Sequence, residues 1–220
     1  MFKSKLALAL VSMVFAGSAF AAPIVLNFEG VGSGAAILGF YNGGTDSQGH
    51  SGTNYGISFG SNALGLVDSD AGGSGNFANE PSASTVMFFT TGSAILNNAA
   101  GFDTGFSFYY SSSTNAVVNV YSGLDASGTL LGSINLSAQS GTNCSGDPTG
   151  TFCNFTAVGL SFAGVAHSID FGGTVNQIAF DDITFGAATP GGTVPEPGTL
   201  ALLGLGLLGT VAGRRRSSKR

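Results

Sequence analysis

Residues 177–185 read Gln-Ile-Ala-Phe-Asp-Asp-Ile-Thr-Phe. Ile178 and Phe180 share one parity, and Ile183 and Phe185 share the other. Successive side chains of a strand point to opposite faces, so period two marks a strand with one face on a core. The parity changes across Asp181-Asp182. A β-bulge there, with two residues opposite one, keeps both apolar pairs on the same side. Moving outward, the same period recurs at Ile24, Leu26 and Phe28 and at Tyr55, Ile57 and Phe59. Further strands are expected over 85–90, 102–110, 116–121, 130–136, 152–158 and 167–171, each bounded by Gly, Ser, Asn or Asp. None of these segments sustains a helical period. Short strands between Gly-rich turns predict an all-β fold, an antiparallel β-sandwich or jelly roll, with one apolar helix at the C-terminus.

The charge layout is lopsided. The seven basic residues sit at the two ends, and no Lys or Arg occurs from Leu6 to Gly213, whereas all twelve acids lie in that span. Nucleic-acid binding needs Lys or Arg against phosphates, so the interior is excluded from that class. A core held by ordinary salt bridges is excluded as well. The chain has 36 Gly but also 18 Phe and 43% hydrophobic residues, which separates it from disordered low-complexity sequence.

Both ends read as addresses. Met1–Lys5 is a short basic segment, Leu6–Phe15 is apolar, and Ala19-Phe20-Ala21 has the small-residue spacing of a signal-peptidase site. Residues 1–21 are therefore expected to be a signal peptide and 22–187 the exported domain. A small-residue linker, 188–194, leads to Pro195-Glu196-Pro197, an uncharged run from Gly198 to Gly213, and Arg214-Arg215-Arg216. As a helix that run covers about 24 Å against a hydrocarbon core of about 30 Å, with arginines able to snorkel at its end. The positive-inside rule puts those arginines in the cytoplasm and the preceding domain outside.

The order Pro195-Glu196-Pro197, Gly/Leu helix (TLALLGLGLLGTVAG) and Arg cluster resembles the PEP-CTERM sorting signal of Gram-negative bacteria, here over residues 195–220. The resemblance implies recognition by an exosortase, a multi-pass membrane cysteine peptidase. It also implies a transient inner-membrane intermediate and a final place at the cell surface, outer membrane or outside the cell. That family is associated with exopolysaccharide and biofilm. The phrases FYNGGTDSQGHSGTNYGISF (40–59) and FDDITFG (180–186) are also similar to its passengers, which implies a β-sandwich of undefined biochemical role. Gly204-Leu205-Gly206-Leu207-Leu208-Gly209 spells G-x-G-x-x-G but lacks a preceding strand, so a dinucleotide loop is not expected. Gly209 and Gly213 form a G-x-x-x-G pair within the same run.

In an exported chain the pair Cys144 and Cys153 reads as one disulfide across a hairpin loop. Gly56-Ile57-Ser58-Phe59-Gly60 spells G-x-S-x-G, but Ser58 falls within an alternating strand, whereas a nucleophile elbow needs strand, sharp turn and helix. His50 and His167 have no sequence link to it. No catalytic residue is assigned.

Without basic partners, a buried carboxylate must find backbone N–H groups, hydroxyls, water or a metal ion. If the first and last strands pair, Glu29 approaches Asp181 and Asp182. These three would make a hard-oxygen site suited to Ca²⁺, resembling carbohydrate-binding jelly rolls that carry a structural Ca²⁺. Asp68-Ser69-Asp70-Ala71-Gly72-Gly73, followed by Asn76, Asn79 and Glu80, meets only some EF-hand positions and reads better as an Asx-rich loop. Trp is absent. Tyr41, Asn42, Tyr55, Tyr109, Tyr110 and Tyr121 are the remaining candidates for a glycan platform, although FSFYY (106–110) reads as core on one face. The expected function is that of an exported, exosortase-sorted, non-catalytic β-sandwich in an adhesion, biofilm or exopolysaccharide setting. The alternative is a Ca²⁺-dependent carbohydrate-binding module. A secreted hydrolase stands behind both.

Overall fold

The computed structural model describes residues 23–142, 144–145 and 150–190. The signal-peptide segment, the PEP motif, the Gly/Leu run and the Arg cluster lie outside the described residues. Eleven strands form among the described residues: β1 (Ile24–Leu26), β2 (Ile57–Phe59), β3 (Leu64–Val67), β4 (Thr85–Phe88), β5 (Ala94–Phe102), β6 (Phe106–Ser112), β7 (Ala116–Tyr121), β8 (Leu130–Leu136), β9 (Thr156–Leu160), β10 (Ala166–Phe171) and β11 (Ile178–Phe185). They build two antiparallel sheets. Sheet A runs β3-β4-β11-β6-β9 with β1 also on β11, and sheet B runs β2-β5-β10-β7-β8. The nested pairs β4·β11, β5·β10, β6·β9 and β7·β8 alternate between the sheets, which is the winding of a jelly roll.

The core lies between the sheets. Phe106, Phe108 and Phe180 of sheet A meet Leu96, Ile169 and Phe171 of sheet B, all fully buried. Rings of Phe108, Phe171 and Phe180 make edge contacts at 4.9–5.6 Å, the geometry that the ring quadrupole favours. The FSFYY run splits as its alternation predicts, with Phe106, Phe108 and Tyr110 on the core. The expected bulge is present. The β11–β6 register shifts between Asp181 and Thr184, and Asp182 takes a positive φ of 48°. Ile183 and Phe185 thereby return to the core beside Phe180.

Three expectations change. The single strand drawn over 102–110 is the end of β5, a turn at Asp103–Gly105, and the start of β6. Thr104 (φ 67°) and Gly105 (φ 154°) reverse the chain there, and the Gly105 N–H donates to the Asp103 carbonyl. The strand expected over 152–158 starts later, as β9 at Thr156. Strands β3 and β5 were not anticipated.

Candidate functional site

The outer faces of the two sheets are finished differently. On sheet A, the segment 68–84 and the described part of 137–155 fold over the strands. They meet through the Phe77–Phe152 bridge and pack Phe77 with Val86 and Ala179, against Leu66, Phe152 and Phe155, as a second apolar cluster. The Cys144–Cys153 disulfide closes the second of these segments, and Cys153 is fully buried. After β11 the chain crosses β9 at Gly159, where a Cβ would collide with the Ala188 carbonyl. Ser107, Ser111, Asp181 and Thr184 are consequently buried although they point away from the main core.

The acids sit in this covered region. β1 pairs with β11 from Ile24↔Phe185 to Leu26↔Ile183, which carries Glu29 toward the bulge. One Glu29 carboxylate oxygen accepts the N–H groups of Ser84 (3.1 Å) and Thr85 (2.8 Å), and the other accepts the Thr85 hydroxyl. Asp181 accepts the Ser82 N–H and hydroxyl at 3.1 Å and the Asp182 N–H at 2.7 Å. Burial, aided by neighbouring Asp182, pushes the Asp181 carboxyl up to about 8. Asp182 is also raised, by burial and then by Glu29. Glu80 is raised by burial, with Asp68, Asp70 and Glu29 adding to it. The structure thus gathers the Glu29/Asp181/Asp182 set and the 68–80 loop into one acidic neighbourhood. Among the described residues, no group of three or more His, Cys, Asp or Glu side chains is arranged to hold a metal ion. Glu29 and Asp181 instead use backbone and hydroxyl donors to fasten the 82–85 segment. Asp68 is buried and accepts the Ser69 N–H, while its carbonyl accepts the Gly73 N–H and closes an Asx-rich turn, as expected.

A further acid went unanticipated. Asp46 is buried and accepts the N–H groups of Gly32, Gln48 and His50, and pairs with His50 Nδ1 at 2.8 Å. Burial alone would raise its carboxyl, but these donors hold it at about 2. This acid organises the long strap between β1 and β2. Its Asp-x-x-x-His spacing was the available signal.

On sheet B the outward side chains of β5, β10, β7 and β8 form the row Ile95–Asp170–Asn119–Ser133. A parallel row is Ser58–Asn97–Ser168–Tyr121. The β7–β8 loop, 122–129, folds back over the second row. Asn97 and Asp125 bond reciprocally, with Asn97 donating to the Asp125 carboxylate at 2.6 Å and the Asp125 N–H returning to Asn97 at 2.8 Å. Ser168 accepts the Ala126 N–H and donates to Gly123 O. Beyond that loop the face is open. Val117 is 38% exposed, and Ser133 and Asn135 are exposed.

Ser58 lies in the β2–β5 ladder opposite Asn97, in a strand that runs on into Gly60 without an elbow. His50 is spent on Asp46, and His167 Nδ1 contacts the Ser122 carbonyl at 2.9 Å. No serine–histidine pair is assembled among the described residues. Of the aromatic candidates, Tyr41 and Tyr110 are buried. Tyr41 accepts the Phe28 N–H, and Tyr110 accepts the Ser137 N–H. Tyr109 and Tyr121 are half-buried, and Tyr55 and Asn42 are exposed.

The described residues therefore define an all-β domain of two antiparallel sheets, with one outer face covered and the other open. Residues 193–216 match the PEP-CTERM protein-sorting motif, so the C-terminus carries the signal of an exosortase substrate. That motif indicates export and membrane-associated processing on the way to the cell surface. No curated protein matches the chain. Among solved structures the domain is similar to CsCBM6-3 from Clostridium stercorarium in complex with cellobiose, at 17% identity and a TM-score of 0.38 over 58% of this chain and 85% of that one. It is similar also to a family 29 carbohydrate-binding module from Piromyces equi, at 15% and 0.39 over 76% and 91%. A third is a glycoside hydrolase family 43 arabinoxylan arabinofuranohydrolase from Bacillus subtilis in complex with cellotetraose, at 16% and 0.38 over 64% of this chain and 30% of that one. Likenesses this remote carry no information on ligand or activity.

Proposed function

We propose that this chain is cut after Ala21, held transiently in the inner membrane by its C-terminal apolar run, and processed by an exosortase. It is then displayed at the cell surface, in the outer membrane or outside the cell. There the β-sandwich serves as a non-catalytic, glycan-binding component of the extracellular matrix, in an adhesion, biofilm or exopolysaccharide setting. The observation that carries the reading is the sorting motif at 193–216, placed directly after an all-β domain. The absence of Lys and Arg from Leu6 to Gly213 also fits, because such a surface is repelled by phosphate-rich polymers and resists non-specific association. The test is fractionation of wild-type cells against cells whose Pro195-Glu196-Pro197 is replaced by alanines. The wild type is expected in shortened form at the surface or in the medium, and the variant at full tail length in the inner membrane. Identical distribution and length would remove the reading.

A second reading places Ca²⁺ at Glu29, Asp181 and Asp182. What favours it is the crowding of these acids with Asp68, Asp70 and Glu80 in a domain that has no Lys or Arg. Melting at pH 8 in millimolar Ca²⁺ and in EDTA tests it. Coincident curves eliminate it.

A further inference from the structure

We infer that the open outer face of sheet B is the glycan-binding surface, and that its ligand is a neutral polysaccharide laid across Asp170, Asn119, Ser133 and Asn135. This rests on the glycan reading above and assigns it a face and a substrate class. The two outer faces offer unequal opportunities. Sheet A's is closed by the Phe77, Phe152 and Phe155 cluster and by the chain that follows β11. Sheet B's is walled at one end by the 122–129 loop. At the other end a groove of about 310 Å³ opens beside Val117 and Asn135.

The chemistry along this floor is that of hydroxyl recognition. Asp170 Oδ1 is buried and lacks a hydrogen-bond partner among the described residues. A buried acceptor left unpaired is costly, so a sugar hydroxyl that draws the half-buried Asp170 carboxylate outward would gain by pairing it. Asp170 is flanked across the ladder by Asn119, whose amide oxygen is taken by the Ser133 hydroxyl at 2.7 Å, so that its amide nitrogen remains as donor. Ser133 and Asn135 follow on the outward side of β8. Carboxylate, amide and hydroxyl groups at strand spacing accept from and donate to successive sugar hydroxyls, while half-buried Ile95 and exposed Val117 can lie against the C–H faces of the rings.

Charge selects among polysaccharides. No Lys or Arg exists in the domain, and Asp170 and Asp125 lie on this side of it. A uronate, sulfate or phosphate polymer would bring like charge to an uncompensated carboxylate, which is unfavourable. A neutral chain has no such cost.

The full chain, kept in mild detergent with EDTA, is assayed by affinity electrophoresis against neutral polymers (xylan, mannan, laminarin, dextran) and acidic ones (alginate, hyaluronate). Binding to at least one neutral polymer is expected, with none to the acidic set. Asp170→Asn should weaken binding about tenfold or more. Asn135→Arg, at an exposed position that makes no demand on the core, should do the same, and it carries the test if Asp170→Asn folds poorly. Ser74→Ala, at an exposed position of the 68–84 segment over sheet A, should leave binding unchanged. If wild type binds a neutral polymer and both sheet B variants stay within about twofold of it, the face assignment is overturned while the glycan reading stands. Binding to alginate or hyaluronate in EDTA overturns the choice of neutral polymers. Silence across the whole panel overturns the glycan reading and this inference together.

Discussion

The outer face of sheet A and the outer face of sheet B come from the same period-two patterning, yet they are finished in opposite ways. On sheet A, Ser107, Ser111 and Thr184 would read as solvent-facing from alternation, but loops bury them completely. On sheet B the corresponding outward residues Asn119, Ser133 and Asn135 remain half-buried or exposed. Alternation reports which residues leave the main core. It does not report whether a second layer covers them. The covering segments shut water out of one face, burying the Ser107 and Ser111 hydroxyls without partners, while fastening it through Glu29 and Asp181; on the proposal above, the other face keeps its polar groups for a partner.

The largest test of this contrast removes the covering layer's anchor. Phe77 is 2% exposed and sits at the centre of the second apolar cluster. Phe77→Ala should cost about 3–5 kcal/mol in urea unfolding, whereas Val117→Ala on the open face should stay within about 0.5 kcal/mol. Equal costs for the two would break the distinction between a structural and an available face.

The next effect is electrostatic and has a definite sign. Asp181, at about 8 in the folded state, binds its proton more tightly than the unfolded chain does near 3.8. Stability should therefore fall as pH rises from about 4 to 8, with the full penalty present above 8. Asp46 acts in the other direction at lower pH. Held at about 2, it contributes stability above 3.8 that is lost as pH falls toward 2. Together they place the maximum near pH 4. The melting temperature should drop by more than about 5 °C between pH 5 and pH 8, and Asp181→Asn should flatten that drop. A slope unchanged by Asp181→Asn would assign the dependence to other groups.

Next in size is the disulfide, which fastens the second covering segment. Cys144→Ser with Cys153→Ser should cost about 2–3 kcal/mol by loop entropy, read from the same unfolding curves, and should leave polysaccharide binding on sheet B intact.

What was legible in the sequence follows from the range of each signal. Strands β7 and β8 match their expected limits, 116–121 and 130–136, because alternation runs uninterrupted between turn residues. The bulge at Asp181-Asp182 was legible because a parity change has few other causes. Strand β5 was not. Its middle, Asn97-Asn98-Ala99-Ala100-Gly101, has the composition of a loop, and it is held as a strand by ladder partners Ser58 and Ser168 that lie far away in the chain. The turn at Asp103–Gly105 was hidden between two runs of Phe. The approach of Glu29 to Asp181 and Asp182 was accessible through terminal-strand pairing. Their attachment to Ser82, Ser84 and Thr85 was not, since it depends on where an irregular loop returns. The polar row across sheet B required knowing the strand order, which a single sequence does not state.

The smallest expected effect examines the boundary of the open face. Asn97 and Asp125 hold the 122–129 loop against sheet B through two reciprocal bonds, and Asp125 and Ala126 both adopt positive φ, 53° and 56°, to make that return. Asn97→Ala removes both bonds at a partly exposed site, so it should cost only about 1 kcal/mol, far less than Phe77→Ala. Its more informative consequence is local. The loop should open without global unfolding, seen as faster amide exchange at Asp125 and Ala126 while Val118 and Ile169 stay protected. Asp170 would then lie beside a longer open floor, and affinity for a neutral polymer should hold or rise. If Asn97→Ala instead abolished binding while β10 remained protected, the clasped loop would itself be part of the sugar-contacting surface, and the boundary would move from Asp170 to Asp125.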